Sequence, residues 1–231
     1  MGEAGRTGRS GESEGGSSPV TAGSFMLTVY VIRHGETEAN RNGVFQGHMD
    51  VPLSKKGHMQ ADRVAEALRD VRFDAVYSSD LSRAYETARA IMRYHDCSLL
   101  RDKRLREING GKLQGLNDKE TAEQFPEFHK SFIERRYTVR RPGGESYADL
   151  DLRVQRAMED FLSWNQDKPD ATIGVVSHGG AIRSILKLAE PDPEFSRPVV
   201  GNCSITVLQH DGAGWKLLKV SDCDHLAGFE G

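Results

Sequence analysis

The 231-residue sequence predicts an α/β domain in three layers (α/β/α), a mainly parallel sheet with helices on both faces. Three observations carry that prediction. Short apolar, β-branched runs recur along the chain, stretches with helical spacing separate them, and capping residues stand at the starts of those stretches. Met26–Ile32 (MLTVYVI) reads as a strand buried on both faces. Ser54 offers an N-cap to a helix running to about Val71. Phe73–Tyr77 is the next strand, Ser82 to about Tyr94 the next helix, and Ser98–Leu100 a brief strand. Residues 117–136 are more polar and predict one or two short helices lying over the domain. Ser146 with Asp149 three positions later is a capping-box variant. The helix it opens carries Leu150, Val154, Ala157, Met158 and Phe161 as a core stripe. Ala171–Val176 is a buried strand, and the helix after it runs to near Pro191. Ser204–Gln209 and Trp215–Val220, joined through Asp211-Gly212-Ala213-Gly214, read as a hairpin-like pair at the end of the sheet.

Composition narrows the function. With 31 basic against 34 acidic residues and a net charge of −3, no whole-chain field draws the protein to nucleic acid or anionic lipid. No apolar run approaches the roughly 18 residues a bilayer requires, so no membrane partner is expected. A domain of about 200 residues buries roughly 70% of its unfolded surface and needs no metal or disulfide staple. Cys97, Cys203 and Cys223 match no zinc spacing and read as reduced thiols, which predicts a cytoplasmic location. Seven of the 24 glycines and five serines fall in residues 1–24, a stretch without core-forming periodicity. The sequence therefore predicts a disordered tail over 1–24 and one domain over 25–231. That tail has no apolar h-region, its three glutamates oppose a mitochondrial presequence, and Arg6 stands where a myristoylation motif wants Ser or Thr.

Ligands of such sheets sit beyond the carboxyl ends of the strands. The first strand ends in Arg33-His34-Gly35-Glu36-Thr37, the second in Ser78-Ser79-Asp80 before Arg83, and a later one in Ser177-His178-Gly179-Gly180. Two histidines and two arginines thus gather at one edge. Each glycine after a histidine is expected to let a ligand approach closely. The helix opening near Gly180 should offer its N–H groups to an anion. Arginine forks onto phosphate oxygens, and histidine serves as nucleophile, acid or base near neutral pH. Phosphoryl transfer needs such charge plus an in-line nucleophile, and Glu107 is a candidate proton donor to the leaving oxygen. Taken singly, each of these is an ordinary surface or hydrogen-bonding residue; it is their convergence that points to phosphate.

Arg33-His34-Gly35-Glu36-Thr37 with Asn40 resembles the signature of the histidine phosphatase, or phosphoglycerate mutase-like, superfamily. The resemblance extends through Phe45-Gln46-Gly47, Ser78-Ser79-Asp80-Leu81-Ser82-Arg83-Ala84, Leu105-Arg106-Glu107, Gly144-Glu145-Ser146 and Ser177-His178-Gly179-Gly180, covering most of residues 26–226. It implies that His34 becomes phosphohistidine and that Arg33, Arg83 and His178 hold the phosphoryl oxygens. Asn40, Gln46, Gly47 and Gly179 would add phosphate contacts, and Glu107 would protonate the leaving group and then activate water. The family uses no metal, which agrees with the lack of a metal-ligand cluster; no cofactor is expected.

The superfamily holds hydrolases and mutases. Leu113-Gln114-Gly115-Leu116-Asn117, Glu120-Thr121-Ala122-Glu123 and the Arg135-Arg136 pair resemble cofactor-dependent mutases, in which a paired arginine there grips the substrate carboxylate. Arg141-Pro142-Gly143-Gly144-Glu145-Ser146-Tyr147, reached without the mutases' proline-rich insertion, resembles the phosphatase branch. So does the ending through Asn202-Cys203-Ser204 and Asp222-Cys223-Asp224-His225. The sequence therefore predicts a phosphatase of small phosphorylated metabolites, with a mutase or a weakly active phospholigand-binding module as alternatives. The arginines from Arg135 to Arg141 read either as a solvated face or as a second-anion contact. His48 and His225 read as structural, and the Asn202 sequon as without meaning. The natural substrate and the oligomeric state stay open.

Overall fold

The computed structural model describes residues 25–191 and 200–229; the tail predicted over 1–24 lies outside them. Six strands form one sheet: β1 (Met26–Arg33), β2 (Ala75–Ser78), β3 (Ser98–Arg101), β4 (Asp170–Ser177), β5 (Ile205–His210) and β6 (Trp215–Asp222). Their order is β3-β2-β4-β1-β5-β6. The first three pairings are parallel, while β5 runs antiparallel to both β1 and β6. The predicted mainly parallel sheet with a terminal hairpin is what forms.

Seven α-helices occur among the described residues: α1 (Glu38–Arg41), α2 (Lys55–Ala67), α3 (Ser82–Ile91), α4 (Asp118–Gln124), α5 (Pro126–Arg135), α6 (Tyr147–Asn165) and α7 (Gly179–Leu186). Both predicted caps hold. Ser54 Oγ accepts from the Gly57 N–H at 3.0 Å, and Ser146 Oγ accepts from the Asp149 N–H at 3.2 Å while the Asp149 carboxylate accepts in return. The short α1, capped by Thr37, is too brief to show a period and was not predicted. Three helices end earlier than their patterns suggest, because their last turns tighten. Beyond α2 the Arg69 N–H bonds to the Glu66 carbonyl, three residues back. Residues 92–94 after α3 are 3₁₀, and beyond α7 the Leu188 and Ala189 N–H groups fold back onto Ile185 and Leu186.

Alternation along β1 divides the core. Leu27, Val29 and Val31 pack with the α6 stripe and with Ile182 and Ile185 of α7. Ile32 faces the opposite layer with Val64 of α2 and Ala84, Ala88 and Ile91 of α3. Because β4 lies between β2 and β1, three neighbouring parallel strands end together, with Arg33 opposite Ser177 and Ser78 opposite Val176. That shared edge positions the site.

Candidate active site

The strand ends are laced by backbone bonds. The His34 N–H donates to the Ser177 carbonyl at 3.0 Å and the Ser79 N–H to the Val176 carbonyl at 2.9 Å. Asn202 Nδ2 donates to the His34 carbonyl at 3.0 Å. His34 and His178 are buried at 3% and 0% exposure, with ring centroids 5.1 Å apart. His34 Nδ1 donates to the Gly35 carbonyl at 2.7 Å, so its proton is fixed there and Nε2 keeps a lone pair. His178 Nε2 lies 2.8 Å from Ser79 Oγ. That oxygen already accepts from the Leu81 N–H at 3.3 Å. A hydroxyl that donates to Nε2 places the ring proton of His178 on Nδ1, and one that accepts from Nε2 leaves Nδ1 a lone pair. Burial first, then the neighbouring Arg83 charge, holds both imidazoles well below the usual histidine range, so both are neutral.

Two arginines complete the cradle. Arg83 on α3 is 1% exposed and donates to the Met49 and Gly47 carbonyls at 2.7 and 2.8 Å. Burial pulls its pKa down to about 10, opposed by the charge of Glu107. Gly47 is at φ +51°, and a Cβ there would fall 2.5 Å from Gln114 Oε1. Arg33 donates to the Val200 carbonyl, and its pKa is likewise lowered by burial against the field of Glu107. Arg33 Nε, Arg83 Nε and His178 Nδ1 are buried without a hydrogen-bond partner among the described residues. Asn40 and Gln46 meet through Thr37, whose hydroxyl lies 3.1 Å from Asn40 Oδ1 and 3.0 Å from Gln46 Oε1.

Glu107 closes the site. Its carboxylate accepts from the Ile108 N–H at 2.8 Å and the Gly180 N–H at 3.0 Å. The N-terminus of α7, where the sequence predicts a ligand anion, thus holds the protein's own carboxylate. The glycines divide in the same way. A Cβ on Gly180 would fall 2.3 Å from Glu107 Oε1, and one on Gly35 would fall 2.4 Å from the Gly57 carbonyl. Both are small to admit protein atoms, which for Gly35 corrects the expectation that a glycine after a histidine clears room for a ligand. Gly179 meets nothing nearer than Arg33 at 3.7 Å.

Arg153 of α6 organises the acid's loop, donating to the carbonyls of Arg104, Arg106 and Glu107 at 2.7–2.8 Å and pairing with Glu145 at 2.8 Å. His48 Nε2 bonds to the same Glu107 carbonyl at 2.8 Å, and His225 Nε2 to the Cys203 carbonyl at 2.9 Å, the structural parts expected of them. Three residues of the site escaped the sequence reading. Ser79 lies inside the Ser78-Ser79-Asp80 strand end, and Asn202 inside a stretch that carries only the family resemblance. Arg153 carries no local signal, because on a helix it reads as one more polar position.

The basic stretch splits. Arg135 is exposed, and Arg140 pairs with Asp149 at 2.5 Å near the surface. Arg136 and the buried Arg141 instead line a cavity beneath α4 and α5.

Comparison with known proteins names the class of this fold. Residues 29–223 match the histidine phosphatase superfamily (branch 1), and the chain belongs to that family. It is 37% identical over 201 residues to phosphoglycerate mutase-like protein 4 of Arabidopsis thaliana, covering 86% of each chain. It is 32% identical to the probable phosphoglycerate mutase GpmB of an Enterobacter species, covering 87% of this chain and 95% of that one. Among solved structures, a mycobacterial glucosyl-3-phosphoglycerate phosphatase superposes with a TM-score of 0.77 at 28% identity, over 86% of this chain and all (100%) of the other. Among the described residues no helix is long and apolar enough to cross a membrane.

Proposed function

We propose that this chain is a metal-independent phosphatase that hydrolyses small phosphomonoesters through a phosphohistidine on His34. The observation that carries the reading is the His34–Gly35 hydrogen bond, which leaves a neutral, buried imidazole with Nε2 free as nucleophile. The unpartnered donors of Arg33, Arg83 and His178 then receive the phosphoryl oxygens, with Asn40, Gln46, Gly47 and Gly179 at the rim. Nε2 attacks phosphorus, the P–O ester bond breaks, and Glu107 gives its proton to the leaving alkoxide. The resulting carboxylate takes a proton from water, whose oxygen attacks phosphorus. The P–N bond breaks, and phosphate and free His34 remain. No cofactor takes part. The three cysteines are free thiols, which suits a cytoplasmic site of action.

Hydrolysis of p-nitrophenyl phosphate by wild type and His34→Ala tests the reading, with acid-labile label expected on His34. Absence of His34-dependent turnover across several esters would overturn it in favour of a binding module. The names of the Arabidopsis and Enterobacter relatives favour a second reading, phosphoryl return to a phosphoglycerate. Against it, Arg140-Arg141-Pro142 runs directly into Gly143-Gly144-Glu145 without an insertion to shield phosphohistidine from water. Supplying 3-phosphoglycerate with 2,3-bisphosphoglycerate separates the two. The phosphatase releases inorganic phosphate; efficient 2-phosphoglycerate formation with little phosphate would establish the mutase.

A further inference from the structure

The cavity beneath α4 and α5 measures about 350 Å³, the size of a small-molecule site. Phe45, Phe128, Phe132 and Tyr147 give it aromatic walls, extended by Leu113 and Ile133. Its polar lining is Asp118, Thr121, His129, Arg136 and Arg141, of which Arg141 is 5% exposed. The Arg141 guanidinium donates from Nη1 to the Glu145 carbonyl at 3.2 Å, and no carboxylate among the described residues pairs with it. Aromatic rings stand over it instead, Tyr147 at 4.6 Å and Phe45 and Phe132 at 5.7 Å. A guanidinium held through its face keeps its in-plane N–H donors for an anion. A buried cation without a counter-ion is costly, and an anionic ligand group removes that cost.

The cavity shares its walls with the catalytic loops. Phe45 directly precedes Gln46, and Glu145, whose backbone carbonyl accepts from Arg141, holds the Asn109 N–H through its carboxylate at 2.8 Å, two residues past Glu107. We infer that this cavity takes the leaving group of the substrate, an apolar ring bearing a second anionic group that Arg141 reads. The inference rests on the phosphatase reading and names its substrate class. It also places the anion contact on the one buried arginine of the stretch, Arg141, rather than on the exposed Arg135 or on Arg136, which lines the same cavity but is exposed.

The test compares 4-carboxyphenyl phosphate with phenyl phosphate as substrates of the full chain, and binding of the product phenols, 4-hydroxybenzoate and phenol, by calorimetry. In wild type kcat/KM should favour the carboxylated ester by about tenfold or more, the effect of one charge-assisted hydrogen bond. Arg141→Met should bring that ratio to about one. Should Arg141→Met fail to fold by circular dichroism, the wild-type ratio and the preference for 4-hydroxybenzoate over phenol decide. A wild-type ratio of one or below, or a preference that survives in folded Arg141→Met, overturns the inference and leaves the cluster as packing between α5 and α6. If neither ester shows His34-dependent hydrolysis yet 4-hydroxybenzoate binds through Arg141, the phosphatase reading fails and the assignment of the cavity stands.

Discussion

His34 and His178 differ in role through one hydrogen bond each. The Gly35 carbonyl fixes the His34 proton on Nδ1 and leaves a lone pair on Nε2, the proposed nucleophile, whereas Ser79 engages Nε2 of His178. Glu107 faces this pair as the proposed acid, and Glu107→Gln keeps its shape while removing the proton. Turnover of an alkyl phosphate should fall by about 10²–10⁴-fold, and that of p-nitrophenyl phosphate, whose leaving group needs no proton, far less. Equal losses on both esters would rule out Glu107 as donor. The neutral histidines also set a pH dependence of stability. An unfolded histidine takes up a proton near pH 6.5, while His34 and His178 in the fold resist it until well below. The unfolded state therefore binds more protons below that pH, so stability is complete above about pH 6.5 and falls on acidification. Thermal denaturation of His178→Gln between pH 5 and 7 should show a shallower slope, by at most about 1.4 kcal/mol per pH unit. An unchanged slope would mean that His178 is not buried neutral.

Elements place these side chains by their ends. Helix α7 begins with His178 as its N-cap residue, and its first turn holds the Glu107 carboxylate, so one helix terminus orients both side chains. Helix α6 begins at Ser146, beside Glu145, and carries Arg153 two turns on, which grips the acid's loop from behind. Ser146→Ala deletes a capping box and should cost about 1 kcal/mol, read from urea denaturation with an unchanged m-value. Starts of helices were legible because caps are local: Ser54 and Ser146 announce themselves within four residues. Ends were not, since α2, α3 and α7 finish in tightened turns set by packing rather than by any one residue.

At the scale of the molecule, two cores on opposite faces join the sheet to its helices, and the site stands at the edge they share. Phe161 is fully buried and stacks on Tyr77 of β2 at a centroid distance of 3.9 Å, joining α6 to the strand that delivers Ser79. Phe161→Ala should destabilise the domain by about 3–5 kcal/mol. Chemical denaturation checks this, and a cost below 1 kcal/mol would show that the layer repacks without it.

The sequence by itself determined the layers, the strands, the starts of the helices and the residue types at three strand ends, because periodicity, capping and short motifs act over a few neighbouring residues. Tertiary structure alone decided that β4 lies between β2 and β1, which brings residues about a hundred positions apart into one cradle. It alone assigned Gly35 and Gly180 to protein neighbours, set Arg153 behind Glu107, and buried Arg141 out of a run of arginines that look alike in sequence. The reason is common to all of these. Burial, the direction of a hydrogen bond and the absence of a counter-ion belong to contacts between distant segments, and no local pattern encodes them.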